Sequence, residues 1–267
     1  MAQSLLQPRP LPPSRPWIGG IVPHAGWVFS GATAGKAISA IAAGPKPDVV
    51  VIFGAIHTPI PTQSGVLDSH QCWRVPTGDS AVQVEVERKL QEKGNLFTVD
   101  DQLHAMEHSI EVNLPLIQLA WPGVPILPIE VPVLEVAELI GRKTVQTIVE
   151  AGLKAVYLAS SDFTHYGTNY GFMPTGIGPQ GIQWAKDNDR RLLDLITTWQ
   201  TSQIIPEVRQ RYSACGAGAI TALMAACRQA GAESAQVLQH TTSFDVLQDI
   251  QPQAPDNTVG YAAVVMG

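Results

Sequence analysis

Ala155-Val156-Tyr157-Leu158-Ala159-Ser160-Ser161-Asp162-Phe163-Thr164-His165 is the stretch that decides the fold. Its first five residues are apolar without alternation, the pattern of a short strand buried on both faces of a sheet. Polar and ionisable residues follow at once. Outward from it, Trp17–Val22, Asp48–Phe53, Val124–Val131 and Val259–Val265 read as strands of the same kind. Helical patterns fill the intervals. Ser30 is placed to cap a helix reaching Ala43, Ser80–Lys93 is amphipathic, and Glu107–Trp121, Leu134–Ala151, Gln183–Trp199 and Gly216–Ala230 complete the set. His240–Val246 is a candidate for one further strand. Strands alternating with helices imply βαβ units. The expected class is therefore α/β, a single-domain αβα sandwich with a largely parallel central sheet.

The 267 residues suit one large domain, and 45% hydrophobic against 15% charged residues is a folding composition. The net charge of −6 comes with no run of Lys or Arg, which argues against a nucleic-acid face. Cys72, Cys215 and Cys227 are too few for a disulfide framework and fit a reducing cytoplasm. The first residues lack the basic and apolar regions of a secretory signal. Five prolines between Pro8 and Pro16 predict an extended tail over residues 1–16, with the domain at 17–267. No apolar stretch is long enough to span a bilayer.

In open α/β sheets, ligands bind beyond the carboxyl ends of the strands. Three predicted strands each deliver an imidazole there: His24 in Pro23-His24-Ala25-Gly26, His57 in Gly54-Ala55-Ile56-His57, and His165 after Asp162. Cys215 stands where a helix should begin, and a helix N-terminus favours a thiolate. Thiolate plus imidazole suits Fe(II), Cu or Zn, with open positions left for water, O₂ or substrate. Taken singly, each histidine reads as a hydrogen-bonded loop residue and Cys215 as a packed core residue. Cys72 and Cys227 keep that plainer reading. The shared placement of the others is what singles them out. His104-Ala105-Met106-Glu107-His108 also matches the H-x-x-E-H pattern of inverted zinc peptidases, with both histidines on one helical face. That offers an alternative, a zinc hydrolase with Glu107 as base. The preferred reading places Glu107 and His108 in the pocket lining.

Pro23 to Gly31, Gly54 to His57, Glu107-His108-Ser109-Ile110-Glu111 with Leu114-Pro115, Ser160 to Gly167, and Cys215-Gly216 together resemble the Memo family. They also resemble its bacterial member from a three-gene system containing an AMMECR1-like protein and a radical SAM enzyme, so those proteins are implied partners. The resemblance implies a fold similar to the class III extradiol dioxygenases, non-haem Fe(II) enzymes with two His and one Glu as ligands. It implies His24, His57 and Cys215 as metal ligands, with Asp162 and His165 beside the metal. The chain departs from the dioxygenase pattern in having a thiol as third ligand. Within the family pattern it departs at Ala55-Ile56 and at Thr58. The expected function is metal-dependent redox or dioxygenase-like chemistry on a small organic substrate, with Fe(II) foremost. His165 would serve as general base, and Asp162 would orient an imidazole or a metal-bound water. A non-catalytic pocket for a peptide or partner protein is the other alternative.

Overall fold

The computed structural model describes residues 1–6, 16–248 and 256–267. In chain order the elements are α1 (Ala2–Leu5), β1 (Gly19–Val22), α2 (Trp27–Ala42), β2 (Val49–Ala55), β3 (Gly65–Leu67), β4 (Cys72–Val75), β5 (Gly78–Ala81), α3 (Val84–Gln91), β6 (Phe97–Val99), α4 (Asp101–Met106) and α5 (Leu114–Ala120). They continue with β7 (Ile126–Val131), α6 (Val136–Glu150), β8 (Ala155–Ser160), β9 (His165–Gly167), α7 (Pro179–Thr197), α8 (Thr201–Arg211), α9 (Ala217–Gln229), β10 (Ala235–Thr242), α10 (Ser243–Gln248) and β11 (Asn257–Met266).

The main sheet runs β10-β11-β1-β8-β2-β7-β3-β6, with β9 paired to β11. Its centre, β1-β8-β2-β7, is parallel throughout. The antiparallel pairings lie to either side, at β11 with β1 and at β3 with β7. Both faces are covered, as the unbroken apolar runs require. Phe53, Ile129 and Tyr157 look toward the core shared with α3, α6, α7, α8 and α9. Val22, Ile52 and Leu158 look toward the core shared with α1, α2 and α5. The fold is thus the mixed α/β architecture read from the sequence.

Local departures have identifiable causes. Ser30 does not cap α2: the helix starts three residues earlier, after Gly26, and the Ser30 hydroxyl donates to the Ala25 carbonyl at 2.8 Å. The expected helix over Glu107–Trp121 is broken. The chain extends at Glu107 (φ −93°, ψ 158°), where α4 stops. A fresh helix, α5, then begins with Pro115 in its first turn, where a missing N–H costs nothing. The His240–Val246 stretch divides between β10 and α10. Most of the polyproline stretch lies outside the described residues. Ahead of it, α1 packs on α2, where Gly31 and Gly35 leave room for Leu5: a Cβ on Gly35 would stand 2.0 Å from the Leu5 carbonyl oxygen.

Candidate metal centre

Parallel β1, β8 and β2 end side by side, so the loops after them share one rim of the sheet. His24 follows β1, His57 follows β2 and Asp162 follows β8. Cys215 reaches the same place from the turn before α9. That turn lies against the loop after β8, where Ala214 bridges to Phe163 and the Cys215 N–H donates to the Asp162 carbonyl at 3.2 Å. Gly216 permits the approach, since a Cβ there would meet the Ser161 side chain at 2.7 Å. Ligand atoms of His24, His57 and Cys215 all lie within 4.8 Å of one another. The three positions that the family resemblance pointed to therefore converge.

The hydrogen bonds fix which imidazole nitrogen faces the cluster. The Ser160 hydroxyl gives its single proton to the Ser109 carbonyl at 2.5 Å. Its lone pairs then accept from the Asn113 amide at 3.1 Å and from His24 Nδ1 at 3.0 Å. His24 is consequently protonated on Nδ1, and its Nε2 lone pair faces Cys215 Sγ at 3.4 Å. His57 is held in the same way by Glu107, whose carboxylate takes the His57 Nδ1–H at 3.0 Å. The same carboxylate accepts the main-chain N–H groups of His57 at 2.5 Å and Thr58 at 2.6 Å. Both rings thus present Nε2 as a free donor, the arrangement that carboxylate- and hydroxyl-anchored histidines adopt toward metals. A nitrogen–nitrogen–sulfur set at this spacing fits a borderline or soft ion.

His108 stacks on His57 with ring centroids 4.9 Å apart and stands 5.5 Å from His24. Ligand atoms of His57, Glu107 and His108 form a second close group. Glu107 and His108 thus stand beside His57 and His24, but neither lines the two cavities that His165 borders. The H-x-x-E-H reading does not hold. His104 lies in α4 with Nε2 on the Val66 carbonyl at 3.1 Å, while His108 lies beyond the helix end. The two imidazoles share no helical face, and the extended Glu107 is the reason.

Asp162 is buried, and burial raises its carboxyl to about 7 against the main-chain N–H bonds from His24 and Ala25. It anchors the loop that carries His24, accepting the His24 main-chain N–H at 2.9 Å. His165 is pushed down, first by burial and then by the charge of His57. It lines two cavities. One, of about 730 Å³, is shared with Asp162, Phe29, Tyr170 and Tyr261. The other, of about 470 Å³, is shared with Phe172, Tyr212 and Cys215. The Cys215 thiol is pushed up by burial and by Asp162, contrary to the ease of ionisation expected from the helix start. Cys215 precedes the cap residue Gly216, so desolvation outweighs the dipole.

Glu130, on β7, was not apparent from the sequence. It stands opposite Gly54, whose missing side chain makes its space, and Ser109 donates to it at 3.4 Å. Burial foremost, and then Glu107, hold it well above the usual carboxylate range. A lone glutamate in the apolar run Val124–Val131 gave no positional signal. Only strand register reveals the glycine facing it.

Fold and site together define an α/β protein with an imidazole–thiol cluster at the carboxyl rim of a mostly parallel sheet. The chain belongs to the Memo family: the family model described as Memo-like protein matches residues 3–265. A MEMO1 family protein of Pyrococcus horikoshii is 33% identical over 255 residues, covering 92% of this chain and 86% of that one. One from Methanococcoides burtonii is 34% identical over 259 residues, covering 93% and 86%. Among solved structures, an uncharacterized protein from Escherichia coli K12 has a TM-score of 0.51 at 14% identity, covering 84% of this chain and 87% of that one. At that identity the likeness is one of fold. Among the described residues, no helix is long and apolar enough to cross a membrane.

Proposed function

We propose that the protein is a metal-dependent redox protein that holds one ion on His24, His57 and Cys215 and acts on a small organic substrate. The observation that carries this reading is the hydrogen-bond arrangement. Ser160 and Glu107 each bind an Nδ1–H, which leaves Nε2 of both rings unprotonated, and ligand atoms of His24, His57 and Cys215 lie within 4.8 Å of one another. Fe(II) is the ion favoured, with Cu or Zn also compatible with the donor set. When bound, such an ion supplies redox or Lewis-acid chemistry at positions the three side chains leave open. It also stabilises the thiolate that burial disfavours.

The remaining residues act around that point. Glu107 orients His57, and Asp162 fixes the His24 loop. His165 edges both cavities as an imidazole placed to accept a proton from a bound substrate. The Tyr170 ring packs edge-on against His165, with centroids 5.0 Å apart. The test is metal analysis of anaerobically purified protein, repeated with His24→Ala and Cys215→Ala. Both substitutions should remove the ion at this site, and unchanged metal content in both would reject the assignment.

A further inference from the structure

A second cluster of metal-binding side chains lies at the β3 edge of the sheet and shares no residue with the first. Asp68 follows β3, His70 lies in the loop to β4, and Asp101 opens α4. Their ligand atoms lie within 4.8 Å of one another. They face a cavity of about 210 Å³, which Trp73 and His104 also line. Asp68 is buried, as is Glu87, whose carboxylate accepts the Asp68 N–H at 3.0 Å. Among the described residues no Lys or Arg pairs with Asp68, Glu87 or Asp101. Arg74, which borders the cavity, is committed to Asp79. Among the described residues the one basic side chain beside them is His70, whose Nδ1 lies 2.6 Å from Asp68 and whose side chain is 64% exposed. Asp68 also accepts from the Trp73 indole, and Asp101 accepts the Ser69 N–H at 2.8 Å and its hydroxyl at 2.6 Å, so two carboxylates and an imidazole face one cavity with no Lys or Arg paired to them among the described residues.

An independent observation points to a ligand in the same cavity. His104 is 6% exposed, and its Nε2–H donates to the Val66 carbonyl. Its Nδ1 is thereby left as a buried lone pair with no partner. A buried acceptor without a donor forfeits its hydration with nothing in return, so native structures seldom leave one unsatisfied. Water bound to an ion in this cavity would supply the missing donor, and the indole of Trp73, 5.5 Å from the His104 ring, closes one side.

We propose that Asp68, His70 and Asp101 form a second divalent-metal site, with His104 receiving a metal-bound water. Two carboxylates and one imidazole suit Zn²⁺ or Mn²⁺ over the softer ions that a thiolate selects. An ion there ties the end of β3 to the start of α4. The far end of α4 hands the chain to Glu107, which holds His57.

The experiment titrates chelator-stripped full-length protein with Zn²⁺ alone and Mn²⁺ alone, reading stoichiometry by equilibrium dialysis and elemental analysis. Deleting the first centre with His24→Ala/Cys215→Ala should leave one equivalent of bound Zn²⁺. Adding His70→Ala/Asp101→Asn to that variant should weaken the remaining binding at least tenfold. His70→Ala alone, at an exposed position, serves where the larger combination fails to fold, and should show the same loss. A first-centre variant that binds neither ion, or binding that persists unchanged without His70 and Asp101, overturns the proposal. Failure of the first centre alone would appear differently: the wild type would bind one equivalent instead of two, and His70→Ala would remove it.

Discussion

Glu107 is the residue whose removal should expose how the first centre is built. Its carboxylate accepts two main-chain N–H groups and the His57 imidazole. Glu107→Ala leaves both main-chain donors without an acceptor, at about 1–3 kcal/mol each. The imidazole side chain is 32% exposed and can turn to water. The total of about 2–6 kcal/mol lowers Tm by on the order of 4–24 °C in a domain of this size. Glu107→Gln is different. Its amide oxygen still accepts the main-chain donors, so Tm should move little. Its amide nitrogen cannot accept the Nδ1–H, so His57 loses its fixed tautomer. Metal affinity should then fall about 10–100-fold, the usual cost of losing such a partner, equivalent to ~1.4–2.8 kcal/mol. Calorimetry on chelator-stripped protein reads the first effect. Competition against a chromophoric chelator reads the second. Wild-type affinity in Glu107→Gln, or a wild-type Tm in Glu107→Ala, would refute the reasoning.

Two further outcomes test the fold beneath the site. Burial, and then Glu107, hold the Glu130 carboxyl well above the ordinary carboxylate value of 4.5, so the folded protein keeps this proton at pH values where an unfolded chain has lost it. The unfolded state then binds fewer protons, so Glu130 makes stability fall as pH rises above that value, by up to ~1.4 kcal/mol per pH unit. Urea midpoints of Glu130→Gln between about pH 5 and 7 should lack that part of the slope, and identical slopes in the two proteins would exclude a protonated Glu130. Gly141 lets α6 lie against α9, since a Cβ there would stand 2.1 Å from the Ala222 carbonyl oxygen. Overpacking at Gly141→Ala costs ~1–3 kcal/mol, against ~1 kcal/mol gained in helix propensity. Denaturant unfolding should show a net loss, and a stabilised variant would contradict the close approach.

Much of this was legible in the chain because it depends on local pattern. Unalternating apolar runs specify strands covered on both faces, and the polar residues that end β1, β2 and β8 mark the rim where a site can form. His24, His57 and Cys215 could be named without coordinates, because motif strings place them in a known order. What sequence could not supply was side-chain direction. The spacing of His104 and His108 suggested one helical face, but Glu107 breaks the helix to reach His57, 50 positions away. The helix-start position of Cys215 suggested a ready thiolate, but only packing reveals the desolvation that opposes it. Glu130 looked like one charged residue in a strand until register set it against Gly54. By itself the sequence determined the layers, the rim and the residue types gathered there. The tertiary structure alone decided which nitrogen each imidazole offers, which carboxyl burial pushes up, and how Asp68, His70 and Asp101 meet. Those properties arise from contacts between residues distant in the chain, and no local period encodes them.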